Sequence, residues 1–199
     1  CDSGSHWLYG AGAGAGKIPT NAGQHCVFAA MSQHRFQTDV RTGRVSDPLQ
    51  SVLDEIDPAF GKQVANGQRS TDVVTFAGQK GHIRKSWGPG WALVGDAAYF
   101  KDPLTAHGIT DALRDAEGLA NAVLAGTFKA LERYQSNRDA MSQELFEISD
   151  KIAAMEWSFP ELQELHMRLY SLRRAERGLA GLRMITRLLV LIAPEAQRL

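Results

Sequence analysis

The chain has 199 residues with 22 basic and 22 acidic side chains and no formal net charge. That length accommodates one ordinary domain or two small ones, each with a real buried core. Balanced charge removes bulk electrostatics as a reason to bind nucleic acid or an anionic membrane, and the two cysteines, Cys1 and Cys26, are too few for a disulfide scaffold and form no CxxC pair. A reducing cytoplasm is the compartment this usage leads one to expect. The first methionine is Met31, and no charged stretch followed by an apolar core marks a secretory signal. The expectation is a piece of a longer protein.

In chain order, His6 to Tyr9 is short and aromatic-rich, followed by the small-residue run Gly10 to Gly16 and the turn chemistry of Lys17-Ile18-Pro19-Thr20-Asn21-Ala22-Gly23. Cys26 to Met31 then reads as a compact apolar strand, so a hairpin is predicted. Asp47-Pro48 opens a short helix with Leu49, Val52, Leu53 and Ile56 at helical spacing, which Asp57-Pro58 is expected to end. The β-branched run Thr71 to Phe76 predicts a strand, as does Ile83 to Trp87, and Trp91-Ala92-Leu93-Val94 predicts a short buried strand ending at Gly95. From Gly108 the pattern is helical. Ile109, Ala112, Leu113, Ala116, Leu119, Ala120, Val123 and Leu124 follow the i, i+3, i+4 rule up to Gly126. A helix from about Phe128 to Trp157 and one or two more after Pro160 complete the chain, which turns from strand-rich to helical near residue 105.

Two patterns are decoys. Gly10 to Lys17 resembles a phosphate loop, but Walker A spacing would need glycine at Ala11 and Ser or Thr at Ile18. GxGxxG fails as well, at Ala15 or at Lys17, and Pro19 and Asn21 stand where a helix should follow. The run reads instead as a glycine-alternating strand lying close to a ligand or another backbone. Among the histidines, His25, Cys26 and His34 are near in sequence, but neighbouring strand residues point to opposite faces, so no metal site is expected. No GxSxG elbow supports hydrolase chemistry.

The segment that carries chemistry runs from Trp91 to Thr110. An apolar strand delivers Gly95-Asp96 at its carboxyl end, where α/β sheets place ligands. Gly95 permits close approach of backbone, and the Asp96 carboxylate is suited to accept from sugar-like hydroxyls. Pro103 stiffens the loop that follows. The helix beginning near Gly108 offers unpaired N–H groups and a positive dipole end, which stabilise negative charge placed above them.

Strand, Gly-Asp, proline loop, glycine and helix together resemble the second FAD-binding motif of the aromatic-hydroxylase-type flavoprotein monooxygenases, a motif shared by flavin-dependent halogenases and geranylgeranyl-reductase-like enzymes. The resemblance implies that Asp96 binds the flavin ribityl chain and that Gly95, Pro103, Thr105, Ala106, His107, Gly108 and Ile109 lie along the cofactor. It also implies that the helix N-terminus faces the pyrimidine edge, and Asp115 falls where the family often has an acidic residue. Thr110 departs from the asparagine of many hydroxylases, and Tyr99 from the usual histidine after Gly-Asp-Ala-Ala. The hairpin resembles the sheet that roofs the substrate site. Halogenases carry WxWxIP in a comparable place; here Ile18-Pro19 is present but Gly14 and Gly16 replace the tryptophans, which argues against halogenation and is expected to leave room for a bulkier substrate. The N-terminal GxGxxG unit that these enzymes use for the adenosine half of FAD is not in this chain, so the residues present are expected to be poorly active alone. His107 is the candidate acid or base, against the plainer reading of a loop histidine with backbone contacts. Lys101 and Asp102 are expected to pair at the loop surface.

Residues 160–199 hold seven Arg and four Asp or Glu. Leu179, Leu182, Met184, Ile185, Leu188, Leu189 and Ile192 make an apolar helix interrupted by Arg183 and Arg187, too short to span a bilayer, which takes about 20 apolar residues. Packing on the FAD domain, a homodimer interface and a basic amphipathic helix on a membrane surface all stay open. The fold expected is α+β or α/β: the C-terminal part of a two-domain, glutathione-reductase-like FAD-binding fold. Residues 1–88 would belong to a substrate-binding β-sheet domain, 89–126 to the FAD-binding domain and 127–199 to a helical tail. The implied function is an FAD-dependent monooxygenase that hydroxylates or epoxidises an apolar or aromatic small molecule through a flavin C4a-peroxide, with NADPH or NADH as electron donor. The alternatives are a geranylgeranyl-reductase-like flavin reductase and a non-enzymatic α+β domain whose helices bind a partner or membrane.

Overall fold

The computed structural model describes residues 4–180 and 189–192, with side chains through residue 174. The described residues form two compact units: those of Cys1–Ala77, Met155–Trp157 and Arg177–Leu199 in the first, and those of Gly78–Ala154 and Ser158–Glu176 in the second. The first break between the units falls at 77/78, and the segment expected to hold flavin shares its unit with most of the long helices that follow.

In the first unit, β1 (His6–Gly10), β2 (Ala13–Pro19) and β3 (His25–Met31) form the predicted antiparallel meander. A fourth strand, β8 (Leu189–Ile192), runs parallel to β1 and gives the order β3-β2-β1-β8. Leu189 and Ile192 therefore lie in a strand and not in the apolar helix predicted for them; Leu-Val-Leu-Ile suits a strand as well as a helix, and an open edge of β1 decides between them. Leu182, Met184, Ile185 and Leu188, with Arg183 and Arg187, lie outside the described residues. A short helical stretch, α1 (Gln33–Arg35), widens into a wider-wound turn over Phe36–Arg41. Next come α2 (Pro48–Ile56), capped by Asp47, whose carboxylate accepts from the Gln50 amide at 3.0 Å, and α3 (Pro58–Ala65). Asp57-Pro58 ends α2 as predicted but also starts α3, since Asp57 Oδ1 accepts from the amides of Ala59 and Phe60.

The pleat sorts the sheet into two faces. Leu8, Ala13 and Ala15, with Val27, Ala29 and Met31, pack on Val52, Leu53, Ile56 and Phe60 of the helices. The other face carries Trp7, Tyr9 and Phe28 around the glycines, because the register pairs Trp7 with Gly16, Tyr9 with Gly14 and Gly16 with Phe28. The room expected at Gly14 and Gly16 is already filled. A Cβ at Gly16 would run into the His6 carbonyl first and the Phe28 ring next, and one at Gly14 would touch the Tyr9 ring at 3.4 Å. Trp7 and Phe28 lie 4.6 Å apart between ring centroids, and Tyr9 meets Trp157 edge-on at 5.7 Å. Gly16→Ala is expected to cost about 1–3 kcal/mol by overpacking, read in urea unfolding followed by the fluorescence of Trp7 and Trp157; an unchanged midpoint would show that the gap is open after all.

Thr71 to Phe76 forms no strand, and Val73, Val74 and Phe76 are exposed. Strand propensity expresses packing against a neighbour, and none pairs here. In the second unit, the short strands β4 (His82–Ile83) and β7 (Tyr99–Phe100) pair antiparallel, as do β5 (Trp87–Gly88) and β6 (Trp91–Ala92). The single strand predicted over 83–87 is instead split between two separate ladders, and of the buried strand predicted over 91–94 only Trp91 and Ala92 pair, with Trp91 exposed, because each piece meets a partner only two residues long. Three helices follow: α4 (Gly108–Leu124), α5 (Phe128–Ala153) and α6 (Phe159–Ala180). None of the helices in the described residues is long and apolar enough to cross a membrane.

The packing of α4 is the least expected feature. Its periodic apolar stripe does not face the core of its unit: Ile109 is 82% exposed, Leu113 69% and Leu124 85%. The buried face instead carries Asp111 and Asp115. Those carboxylates are drawn inward by cations and an amide that only the folded chain supplies.

Candidate functional site

The site is assembled on a stretch of irregular backbone, and α5 holds that stretch in place. Tyr134 donates its hydroxyl to the Leu93 carbonyl at 2.8 Å, and burial pushes that phenol up to about 12. Gln135 accepts from the Ser86 amide at 3.1 Å, and Arg138 Nη2 donates to the Arg84 carbonyl at 2.7 Å. Between these anchors the Leu93 amide donates to the Ser86 carbonyl and the Arg84 amide to the Ala98 carbonyl. Tyr134, Gln135 and Arg138 were not singled out by sequence reasoning. The signal was present only as polar residues one turn apart on a long helix, a pattern that solvated faces share.

At Gly95 the chain turns sharply into a short 3-10 segment, Gly95–Ala97, with φ of +55°. A Cβ there would meet the Cβ of Ala112 at 2.8 Å, so the close approach that glycine allows is to helix α4 itself. The Gly95 amide donates to Asp115 Oδ2 at 3.3 Å. Burial raises the Asp115 carboxyl above its usual range, while the neighbouring Arg114 and the Gly95 amide pull the other way. Asp115 thus ties the Gly-Asp turn to the helix that begins the other half of the site.

Asp96 is exposed, and its Oδ1 lies 3.5 Å from where a Cβ on Gly108 would stand. The carboxylate therefore sits over the first residue of α4, across a gap that any larger side chain at 108 would fill. Between them runs the loop. Asp102 Oδ1 accepts from the Leu104 amide at 2.9 Å and caps a single turn, Pro103–Thr105, after which Ala106 takes the left-handed conformation with φ of +54°. Thr105 is buried, whereas Pro103, Ala106 and Ile109 are exposed; Gly108 is half-buried and Thr110 exposed. His107 stands at the N-cap of α4, makes no side-chain cap, and accepts from the Asp111 amide through its carbonyl at 3.0 Å. Its Nδ1 is buried without a hydrogen-bond partner among the described residues. Burial first, and the Arg173 cation second, push the imidazole down to about 4.

Lys101 does not pair with Asp102 at the surface. Its ammonium is buried against the Asp111 carboxylate and over the Tyr99 ring, 4.4 Å from the centroid. Arg114 Nη1 reaches the same carboxylate at 3.2 Å and its Nη2 reaches Asp115 at 3.6 Å. The reason is geometric: Asp102 is committed to its own backbone turn, while Asp111 lies on the inner face of α4 beneath Lys101. Tyr99, one of the departures from the hydroxylase pattern, is buried and donates to the Ser142 carbonyl at 3.3 Å.

The predicted set is thus brought together. Asp96, Ala106, Gly108 and Ile109 present a shared outer surface around the N-terminus of α4; Gly95 and Thr105 support it from below, and His107 lies between. The exposed Asp96 carboxylate can accept from ligand hydroxyls, and the α4 N-terminus beside it offers amides and a positive dipole end. The residue types present are compatible with the hydroxyls of a flavin's ribityl chain. Clefts of about 590 and 580 Å³ lie in this unit, one lined by α5 and α6 and the other by α4 and α5, the second including Asp115, Tyr134 and Arg138 behind the Gly-Asp turn. Both are wide open and lack this combination of groups. Among the described residues no cluster of His, Cys, Asp or Glu could hold a metal ion.

Comparison with known proteins gives a partial likeness. The chain is 27% identical over 77 residues to a 1H-pyrrole-2-carbonyl-[peptidyl-carrier protein] brominase from Pseudoalteromonas luteoviolacea (strain 2ta16). The matched stretch covers 39% of this chain and 19% of that enzyme. No family model and no solved structure matches.

Proposed function

We propose that this chain forms the flavin-facing part of an FAD-dependent oxidoreductase of the monooxygenase type, built on a glutathione-reductase-like fold and acting on an apolar or aromatic small molecule. The observation that carries the reading is the placement of the exposed Asp96 carboxylate over Gly108 at the start of α4, with the Pro103–Ala106 turn bridging the two. The likeness to a brominase over 77 residues supports a flavin enzyme at a coarse level, halogenases being among the enzymes whose motif Asp96, Pro103 and Gly108 resemble.

When bound, the flavin supplies the redox chemistry. The chain's own residues bind and orient it. Asp96 accepts from ribityl hydroxyls, and the amides and dipole at the α4 N-terminus favour negative charge on the ring edge above them. Asp115 keeps the Gly-Asp turn in register with that helix. His107 is held neutral across the physiological range by burial and by the Arg173 cation, so it adds no charge of its own beside the helix N-terminus.

The test is flavin binding by the full-length protein, followed by flavin fluorescence. Asp96→Ala is expected to weaken FAD binding by about tenfold or more, the loss of a charged hydrogen bond. Equal affinity in the variant, or no flavin binding by the parent protein, would remove the basis of the reading. Halogenation is the second reading, favoured by the brominase likeness and opposed by the filled glycine face of the sheet. Mass analysis of products formed with and without bromide separates it from hydroxylation.

A further inference from the structure

The loop over the α4 N-terminus is fastened from behind by two helices that sequence reasoning left without a role. Arg173 on α6 donates through Nη2 to the Thr105 carbonyl at 2.5 Å. Ser149 on α5 shares a hydrogen bond with the Thr105 hydroxyl at 3.1 Å. Both tethers grip the same buried residue, and the next residue, Ala106, is in the left-handed region. A residue with a Cβ holds that conformation only where its surroundings over-determine it. Two hydrogen bonds on Thr105, one to the backbone and one to the side chain, supply that constraint.

We propose that Arg173 is a positioning residue for the candidate flavin site: through the Thr105 carbonyl it sets the Pro103–His107 loop over the N-terminus of α4, with Ser149 as the second tether. The inference rests on the reading of that loop as flavin-facing. It makes α5 and α6 the back wall of the site and gives part of the helical region a task in cofactor binding.

The arrangement has a second effect. Of the charged groups facing His107, Arg173 comes from α6, Lys101 from the segment before the loop and Asp111 from α4. The two cations outweigh the carboxylate and work with burial to keep the imidazole uncharged.

Two measurements on the full-length protein test this. The first is the titration of His107 by NMR without cofactor, and the second is FAD affinity. In the parent protein His107 should titrate near 4. Arg173→Gln should move that midpoint toward the ordinary histidine value and weaken FAD binding by about tenfold. Arg173→Lys should keep His107 low and restore part of the affinity, which a purely structural role would not predict. Ser149→Ala removes a tether but no charge; it should leave His107 in place and weaken FAD by about fivefold, and it serves if Arg173→Gln fails to fold. FAD binding that is equally tight in the parent, Arg173→Gln and Ser149→Ala proteins overturns the proposal while the flavin reading survives; failure of the parent to bind FAD overturns both.

Discussion

Asp111→Ala is expected to destabilise the second unit by about 3–5 kcal/mol, a large part of the stability of an ordinary domain. Asp111 is 2% exposed and its partner Lys101 4%. Removing the carboxylate leaves the Lys101 ammonium buried beside the Arg114 guanidinium, two cations with one carboxylate, Asp115, remaining nearby. The face of the Tyr99 ring offsets little of that cost. The double variant Lys101→Met, Asp111→Leu removes both charges and should recover most of the loss, since a buried pair is often no better than apolar groups of similar size. Denaturant unfolding followed by Trp87 and Trp91, the tryptophans of this unit, reads both. A loss below about 1 kcal/mol in the single variant would mean that the pair is solvated. Flavin binding should fall in the single variant as well, because Asp111 joins α4 to the segment that leads into the loop.

Acidification is expected to destabilise the same unit through His107. The folded imidazole is pushed down to about 4 from an ordinary value of 6.5. The unfolded chain therefore binds a proton that the folded chain refuses between those two values. Stability is complete above pH 6.5 and is lost progressively as pH falls toward about 4, below which this group adds no further change. The total is about 2 kcal/mol once residual solvent contact is discounted. His166, lowered mainly by burial, acts in the same direction. His107→Gln should flatten the His107 share of the profile, measured as unfolding free energy against pH. A parent profile that stays level from pH 7 to pH 4 would show that His107 is hydrated.

How far the site was legible in the sequence depends on how local its signals were. Asp47-Pro48 announces a helix because a carboxylate and a proline serve the first turn of whichever helix follows them. The same logic makes Asp57-Pro58 a start as well as a stop, a second meaning that became visible only with α3 in place. Gly95, Asp96, Pro103 and Gly108 could be read in register because a tight turn, a capped loop and a helix start have fixed lengths. Tyr134, Gln135, Arg138, Ser149 and Arg173 could not, because each acts on backbone far away in the chain. Thr71 to Phe76 shows the converse failure: a run rich in β-branched residues with no partner strand among the described residues.

The sequence by itself determined the order and kind of most elements, the strand–turn–loop–helix spacing and the absence of a phosphate loop, all carried by contacts within a few residues. The tertiary structure decided orientation. Periodicity in α4 shows that a stripe exists but not which side is buried, and the choice fell to Asp111 and Asp115 because Lys101, Arg114 and the Gly95 amide compensate them. It likewise decided that the space beside Gly16 is taken by the His6 carbonyl and Phe28, since register across strands sets which groups meet on a face. Short-range chemistry is written residue by residue. Which distant groups meet is set only when the chain packs, because a buried charge is stable only beside the partner that folding brings to it.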